Sequence, residues 1–433
     1  MEKRNFFQIE LEKYERRIKK VSENPDPKLL KSNKLSYELW WSYNKRLLEA
    51  WERGEPFVWS TGGAARLIES MGLHVLHLTI IADRIRPDMS MTFFDEARRF
   101  GYPADVCDWC QVATGICLSE GALPEPRFAI TDVAECEMIT QQAMLMARHY
   151  KVPCHTLDIP IFEVDPSWEQ IEYLTRQLED LISEIERTVP GAKYDEARHR
   201  TLQARDLQSQ NFADEIMKLL MEKPCPAASR DMGRMAPLGL DDDRLPEYFR
   251  QMLSELKGRK ESGNVPIPDE KARLLWLGIL PNFINPFGFL EDKGILNVYE
   301  EAAGFYTVGR RIGPEVEERY GRPLSLLQQE AYYIATPHWG GPTERRTRDI
   351  LTRCKQLKID GLVHLLMVGC PVTVGGASII RERAQKELGI PTLLVDGWIM
   401  DYEKFNETNF RAQMNAFLDL VLEAKGEREG QRT

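Results

Sequence analysis

A duplicated unit constrains the possible fold of this chain more than any other feature of its sequence. In one copy, the apolar stretch FAITDVAEC at 128–136 leads into a helical segment and then the strand-like KVPCHTLD. In the other, VHLLMVGC at 363–370 leads through ASIIRERAQKEL to GIPTLLVD, and in both copies a proline precedes an aspartate by five positions. Because strand, helix and strand in succession are typical of parallel sheets, the duplication predicts two related α/β units.

The rest of the chain extends this pattern to a two-part α/β protein. Its 433 residues exceed what one compact core usually holds. Helical periodicity predicts an N-terminal helical extension over residues 1–55. Alternating strands and helices predict a first α/β domain over 56–165 and a second over 230–433, which closes with a C-terminal helix. The charged helical stretch 166–229 is expected to bridge the two parallel-sheet domains.

Composition excludes several classes of protein. The net charge of -10, from 57 basic and 67 acidic residues, argues against a nucleic-acid or anionic-membrane surface. The most apolar stretches are interrupted by proline, asparagine, glycine or histidine before they reach the length of a membrane span, and the charged N-terminus does not resemble a secretory signal. We therefore expect a cytoplasmic protein that binds neither nucleic acid nor membrane. In that reducing compartment its eight cysteines are expected to be thiols rather than disulfides.

The two repeated units each place a cysteine directly after a strand. Cys136 and Cys370 would lie at the carboxyl ends of equivalent strands, where open α/β sheets bind ligands. The helix that follows each loop offers free backbone N–H groups that favour thiolates. Cys107 and Cys110, in VCDWC, are a third source of thiols. Buried structural thiols are the alternative, but the matching positions favour a ligand role.

The cysteine spacing also bears on the kind of site. A single CxxC with no second cysteine or histidine pair at similar spacing argues against structural zinc. No strand precedes this CxxC, which argues against a thioredoxin-type disulfide. Thiolates from distant loops suit an iron–sulfur cluster, and three of them would leave one iron open to another ligand.

Several of these motifs resemble the 2-hydroxyacyl-CoA dehydratase superfamily, which includes the benzoyl-CoA reductases. They are PADVCDWCQVATG, the strand that ends in AEC, and MVGCPVTVGGASIIRERAQKELGIPTLLVDGWIMDYEKFN, within a resemblance that spans about residues 57–421. In that superfamily the first cysteine lies in a Cys-x7-Gly pattern, which Cys107 and Gly115 match and Cys110 does not. The family's second and third cysteines match Cys136 and Cys370.

The resemblance implies a cofactor and a set of partners. It implies a [4Fe-4S] cluster held by Cys107, Cys136 and Cys370 in the cleft between two flavodoxin-like (Rossmann-like) domains, beside an acyl-CoA thioester. It further implies a heterodimer with a paralogous cluster-carrying subunit, an ATP-hydrolysing iron–sulfur activator and a ferredoxin-like electron donor. The chain has no GxxxxGK[ST] loop, so ATP hydrolysis is expected on the separate activator.

Departures from the dehydratase pattern favour the reductase branch. Trp398 and Glu403 stand where many members have Asp and Arg, and Ser60-Thr61-Gly62-Gly63 replaces a Thr-Pro-Glu type turn. With the WGGPTERR segment and the 50.0 kDa mass, these predict a non-ATPase, B-type subunit of an ATP-dependent benzoyl-CoA reductase, which dearomatises benzoyl-CoA in anaerobic aromatic degradation. The alternatives are a 2-hydroxyacyl-CoA dehydratase subunit, which eliminates water by a ketyl-radical mechanism, and a cluster-free α/β binding or scaffold protein.

Further site residues are predicted around the first strand and near TPHWGGPTERR. Ser60, Thr61, Gly62 and Arg66 are expected to bind substrate, since a turn between a strand and a helix can donate hydrogen bonds to a thioester carbonyl or pantetheine arm; a helix cap is the alternative. His338 is a candidate proton donor to the reduced ring, or a structural histidine. The arginines of TERRTR are expected to contact CoA phosphates or to form a solvated face.

Overall fold

Two parallel sheets carry the architecture in the computed structural model, which describes residues 5–26, 28–133, 136–232, 241–281, 283–301, 311–337 and 339–430. The strands are β1 (Phe57–Ser60), β2 (His74–His77), β3 (Pro126–Asp132), β4 (Cys154–Leu157), β5 (Ala272–Leu277), β6 (Ile295–Glu300), β7 (Gly361–Met367) and β8 (Thr392–Gly397). The first sheet has the order β2-β1-β3-β4 and the second the order β6-β5-β7-β8, with every pairing parallel. The predicted α/β fold class is confirmed.

Helices fill most of the remaining described chain. They are α1 (Phe6–Glu23), α2 (Asn33–Glu52), α3 (Ala65–Ser70), α4 (Leu78–Arg84), α5 (Pro87–Phe100), α6 (Asp108–Leu118), α7 (Glu137–Tyr150), α8 (Trp168–Thr188), α9 (Glu196–Leu220), α10 (Ser229–Met232), α11 (Leu245–Ser262), α12 (Pro286–Glu291), α13 (Pro314–Tyr320), α14 (Leu326–Ala335), α15 (Thr343–Leu357), α16 (Pro371–Val374), α17 (Ala377–Leu388) and α18 (Glu407–Gly430). The helical predictions for the N-terminus and for the segment between the sheets are confirmed as elements. The predicted domain boundaries remain predictions.

The repeat found in the sequence has a direct structural counterpart. β3 and β7 occupy the same position in their sheets, each beside the first strand of its unit. Both strands are almost wholly buried, which explains why they read as continuous apolar runs rather than as alternating patterns. In each sheet the strand order reverses between the first and third strands, the place where doubly wound sheets bind ligands.

One apolar core joins the two sheets. Trp59 on β1 and Trp276 on β5 are both buried and belong to the same cluster of packed side chains, which also includes Cys107 and Cys370. The thiols of interest therefore lie at the junction of the two halves. All eight cysteines are free thiols in this structure. In the described ranges, no helix has the length and apolar character needed to cross a membrane.

The N-terminal helices pack on each other and are anchored to the rest of the chain. α1 begins with a capping box between Asn5 and Gln8, and the Phe6 N–H donates to the carbonyl of Ala122 at 3.0 Å. The loop between α1 and α2 is held by the Glu255 carboxylate on α11, which accepts from the backbone N–H groups of residues 31 and 32. The extension is thus part of the folded body.

Candidate functional site

The three predicted cysteine ligands share one local geometry. Cys107, Cys136 and Cys370 are the N-cap residues of α6, α7 and α16 respectively. β3 ends at Asp132 and β7 ends at Met367, so Cys136 and Cys370 follow equivalent strand ends, as the repeat predicted. A thiol at the start of a helix lies near unpaired backbone N–H groups, which favour its ionised form.

Gly369 brings the two halves into backbone contact. Its φ of +76° lies in the left-handed region, and a Cβ at this position would be 2.6 Å from the carbonyl carbon of Val106 and 2.7 Å from the backbone nitrogen of Cys107. Only glycine allows the loop after β7 to lie this close to the segment that precedes α6. This contact places Cys370 next to Cys107.

The thiols form a buried group. A hydrogen bond with the Cys110 thiol, together with burial, holds the pKa of Cys107 well above its ordinary value, although a hydrogen bond with Cys370 acts in the opposite direction. The bond with Cys107 and burial likewise raise the pKa of Cys370. Burial, followed by the charge of nearby Cys370, raises the pKa of Cys136 to about 11. As described, the three predicted ligands are neutral thiols at pH 7.

Asp108 fixes the segment after β8 beside this group. Its buried Oδ2 accepts hydrogen bonds from the backbone N–H groups of Ile399, Met400 and Asp401 at 2.9, 2.8 and 3.2 Å. Burial raises the pKa of Asp108, and these hydrogen bonds oppose the shift. The stretch that departs from the dehydratase pattern is therefore attached directly to the first turn of α6.

Gly115 has a packing role that accounts for its spacing from Cys107. A Cβ at Gly115 would lie 1.9 Å from the carbonyl oxygen of Phe93, so α6 and α5 touch through their backbones. No side chain fits between them. In the Cys-x7-Gly pattern, the cysteine caps α6, and the glycine, about two turns further along, allows the close contact between α6 and α5.

A charged group lies close to Cys370. Arg346 on α15 is buried and makes a bidentate ion pair with Glu301 at 2.7 and 2.8 Å, and its charge interacts with Cys370. Burial, and then the Arg346 charge, lower the pKa of fully buried His364 to about 4, so this histidine is neutral at pH 7. The Arg346 side chain is therefore paired inside the protein and does not lie on a solvated face, which was the alternative to phosphate contact. Arg345 is buried as well, with its guanidinium 5.0 Å from the Phe162 ring.

The turn after β1 is built largely from its own hydrogen bonds. Thr61 Oγ1 donates to Thr131 Oγ1 at 2.7 Å, and the Oγ of fully buried Ser60 accepts from the Gly62 N–H at 3.1 Å. A Cβ on Gly62 would meet the Asp132 carboxylate at 2.4 Å, so glycine is required where the turn docks against the end of β3. Substrate binding by Ser60, Thr61 and Gly62 stays a prediction. The hydroxyl groups of Ser60 and Thr61 already form hydrogen bonds within the protein.

Arg66 lies inside the protein rather than at a visible binding surface. Its guanidinium donates to Asp206 at 3.0 Å and to Glu330 at 2.9 Å, and it stacks on the Tyr333 ring at 3.9 Å. Although burial alone would raise the pKa of Glu330, Arg66 and then His199 lower it to about 2. The predicted substrate role of Arg66 remains untested, and the structure supplies a complete internal role. His338 lies outside the described residues.

The thiol group partly fits an iron–sulfur cluster. Its donors are of the right kind, since cysteine thiolates hold such clusters, and Cys107 is in contact with Cys370. Two buried polar atoms nearby, Trp109 Nε1 and Gln142 Oε1, have no hydrogen-bond partner among the described residues. Within those residues, however, no three histidine, cysteine or acidic side chains are grouped closely enough for a metal site. In this arrangement Cys107, Cys136 and Cys370 therefore do not form a three-ligand group.

Sequence reasoning missed Asp108, Gly369 and His364. A glycine directly before a cysteine at a strand end was a usable signal for Gly369, because close backbone approaches require glycine. Asp108 had a weaker signal as an acidic residue in a first helical turn. His364 had none, because its neighbours Arg346 and Glu301 come from distant parts of the sequence.

Two parallel sheets with buried, hydrogen-bonded thiols at their junction define the class of this α/β protein. Residues 64–421 match the family described as 2-hydroxyglutaryl-CoA dehydratase, D-component, and the chain belongs to this family. The superfamily resemblance is confirmed.

Similar proteins of established function are dehydratase subunits. The chain is 23% identical over 409 residues to the alpha subunit of (R)-phenyllactyl-CoA dehydratase from Clostridium sporogenes, covering 88% of this chain and 93% of that protein. It is 25% identical over 320 residues to subunit alpha of (R)-2-hydroxyglutaryl-CoA dehydratase from Acidaminococcus fermentans, covering 71% and 63%. It is 22% identical over 397 residues to the alpha subunit of (R)-2-hydroxyisocaproyl-CoA dehydratase from Clostridioides difficile, covering 87% and 93%.

Proposed function

We propose that this chain is the alpha-type subunit of a 2-hydroxyacyl-CoA dehydratase, a lyase that removes water from the CoA thioester of a 2-hydroxy acid. The observation that carries the proposal is the backbone contact at Gly369, which brings Cys107 against Cys370 at the carboxyl ends of the strands. Family membership and the dehydratase names of the three similar proteins support the choice of reaction.

The proposed reaction balances without net reduction. The C2–O bond breaks and the hydroxyl leaves as water, a proton is lost from C3, and a C2=C3 double bond forms. When bound, an iron–sulfur cluster supplies low-potential one-electron transfer to this chemistry. We propose that Cys107, Cys136 and Cys370 hold it.

The residues of the chain would prepare the site in three ways. Burial raises the pKa of the thiols, whereas the N-cap positions and, for Cys370, the nearby Arg346 charge act in the opposite direction, toward the thiolate. The Gly369 contact keeps the two halves together, so that Cys107 and Cys370 act from opposite sides of one junction. Cys107 and Cys370 are each only 5% exposed, which limits the access of water and oxygen to the sulfur atoms.

The benzoyl-CoA reductase assignment expected from the sequence is the second candidate. It rests on Trp398, Glu403 and the Ser60–Gly63 turn, which depart from the dehydratase pattern. The structure places the segment after β8 next to Cys107 through Asp108, so changes there lie where they can alter substrate choice. In either case we propose an acyl-CoA substrate, a paralogous partner subunit and a separate ATP-hydrolysing activator.

The decisive experiment reconstitutes the subunit anaerobically with its partner, an activator, ATP and a strong reductant. We expect 2-hydroxyacyl-CoA to yield the unsaturated thioester and water with only catalytic amounts of reductant, and benzoyl-CoA to remain unchanged. Reduction of benzoyl-CoA at two electrons per ring, without dehydration, would overturn the lyase proposal in favour of the reductase.

Iron and sulfide analysis tests the ligand set. Cys136→Ala and Cys370→Ala should each lose most of the bound iron, whereas Cys354→Ala should keep it, because Cys354 is also a free thiol but is buried in a separate core. Cys107→Ala and Cys110→Ala, compared side by side, decide which member of the VCDWC pair is the ligand. Colourless wild-type protein, or cysteine variants with unchanged iron, would reject the cluster.

A further inference from the structure

A second candidate site lies in a cavity of about 670 Å³ between α1, α2 and the loop that joins them, closed by the ends of α4 and α10. Its described lining includes none of the cysteines and none of the residues around them. The volume is within the range of pockets that enclose a small organic molecule and far exceeds the space needed by an inorganic ion.

The lining is strongly cationic for a chain whose net charge is -10. Among the described residues, the cations that line the cavity are Arg17, Lys20, Lys31, Lys34, Arg84 and Arg230. One carboxylate, that of Asp26, lines it with them, and it accepts from the backbone N–H of residue 28 at 2.9 Å. Such an excess of positive charge in a concave site attracts anions.

Three residues of the lining also carry buried hydrogen-bond donors without acceptors in the described part of the chain. The side chain of Asn33 is 2% exposed, and its Nδ2 has no hydrogen-bond partner among the described residues. The Nε atoms of Arg84 and Arg230 are buried and equally without acceptors, since the nearest carboxylate oxygen to Arg84, on Asp83, is 3.9 Å away. Buried donors normally have acceptors. Three such donors around one cavity indicate a ligand rich in acceptor oxygens.

Aromatic rings and guanidinium groups pack together in the wall beside these donors. The rings of Tyr14 and Trp40 stack with centroids 6.3 Å apart, and the Arg84 guanidinium lies 3.6 Å over the Trp40 ring and donates to the Tyr14 hydroxyl at 2.5 Å. Arg17 covers the partly exposed ring of Tyr37 at 5.5 Å. A guanidinium on an aromatic face provides a flat surface on which a base can stack.

We infer that this cavity binds the phosphate groups of a nucleotide. Phosphate oxygens match a lining of cations and donors, and the ring-bearing wall and the volume favour a nucleoside phosphate over a free anion. The ligand has two possible sources, the phosphorylated adenosine end of CoA and a free nucleotide such as ATP. The CoA source rests on the proposed function, whereas the phosphate chemistry does not.

Isothermal titration calorimetry on the full-length protein tests this inference, with CoA, ATP and inorganic phosphate as separate ligands. The double variant K20E/K34E reverses two lining charges. Its matched control is K19E/K45E, which reverses one charge on each of the same helices outside the lining. We expect the lining variant to weaken nucleotide binding by at least about tenfold and the control by less than about twofold. Asn33→Asp, which replaces a buried donor by a carboxylate, should weaken it as well.

The outcomes are distinct. Tighter binding of CoA than of ATP assigns the cavity to the substrate handle, and the reverse assigns it to a free nucleotide. No saturable binding at about 1 mM nucleotide, equal loss in both double variants, or inorganic phosphate binding as tightly as nucleotide would overturn the inference.

The same titration with Cys370→Ala protein separates this inference from the proposed function. Nucleotide binding that persists in this variant, with no dehydration in the reconstituted wild type, would reject only the proposed function. Dehydration in the wild type with a KM unaffected by K20E/K34E, and no nucleotide binding, would reject only the inference.

Discussion

Replacing Gly369 by alanine should separate Cys107 from Cys370 without altering any thiol. An alanine held at φ +76° costs roughly 1–2 kcal/mol because the left-handed conformation crowds its Cβ. The new Cβ would also lie 2.6–2.7 Å from backbone atoms of Asp105, Val106 and Cys107, none of which is the end of a flexible side chain. Relieving that overlap costs a further ~1–3 kcal/mol. The expected loss in the free energy of unfolding is therefore about 2–5 kcal/mol.

Gly72→Ala is the matched control. Gly72 has a nearly identical φ of +77°, but nothing lies within 4 Å of its virtual Cβ, so only the conformational cost of roughly 1–2 kcal/mol applies. Urea denaturation of both iron-free variants isolates the steric part of the effect. Iron per chain after anaerobic reconstitution then shows whether separating the loops prevents cluster assembly.

Both the stability and the iron content of Gly369→Ala should change. Gly369→Ala must lose more stability than Gly72→Ala and must also retain less iron than the wild type. Equal stability of the two variants, with wild-type iron in both, would show that the loop after β7 does not lie against the segment before α6. The proposed ligand pair would then have no structural basis.

Other substitutions test the neighbouring packing and charges. Gly115→Ala should lower the free energy of unfolding by more than about 3 kcal/mol, because its Cβ would overlap the Phe93 carbonyl oxygen. The control Gly258→Ala, in open space on α11, should raise it by about 0.5–1 kcal/mol. Equal effects of the two substitutions in urea denaturation would contradict the close contact at Gly115. Arg66→Met should cost about 3–5 kcal/mol, because two buried carboxylates lose their shared guanidinium and keep only Arg205 and His199 as partners among the described residues. A loss below about 1 kcal/mol with weakened acyl-CoA binding would support the predicted substrate role instead. Folding lowers the pKa of His364 from 6.5 to about 4, so as the pH falls the histidine is protonated in the unfolded chain before it is protonated in the folded chain. Its contribution to the free energy of unfolding is therefore complete above pH 6.5. That contribution falls by up to roughly 3 kcal/mol as the pH decreases toward 4. His364→Asn should remove that part of the pH dependence in denaturation curves between pH 4 and 7, and an unchanged slope would contradict a neutral buried histidine.

The sequence predicted the parts of the site that follow from local pattern. A buried strand, a cysteine and a helix start are contiguous in the chain, so the positions of Cys136 and Cys370 at equivalent strand ends could be inferred from the repeat. Their relation to Cys107 could not be inferred from the repeat alone, because it depends on a backbone contact between Gly369 and a segment from the other half of the chain. The superfamily resemblance supplied that link without its physical cause.

Charged residues illustrate the limit of sequence reasoning more clearly. Arg66 and Arg346 each lie on or beside a helix start, where a guanidinium is as compatible with phosphate binding as with solvent. Each is instead buried against a carboxylate far away in sequence, Glu330 for Arg66 and Glu301 for Arg346. An arginine can be buried only where the tertiary fold places a carboxylate beside it. A single sequence does not show which distant carboxylate that is.

Two of the three predicted ligands, Cys107 and Cys136, come from the first half of the chain, and the third, Cys370, comes from the second half. The repeat supplies one cysteine from each half, but Cys107 comes from α6, outside the repeated unit, and contacts Cys370 of the opposite half. Neither half alone therefore contains the touching pair, and the pair exists only while the Gly369 and Asp108 contacts hold the halves together. Local openings cost less free energy than global unfolding. Perturbations at this junction should accordingly release the proposed cluster under conditions in which both sheets remain folded.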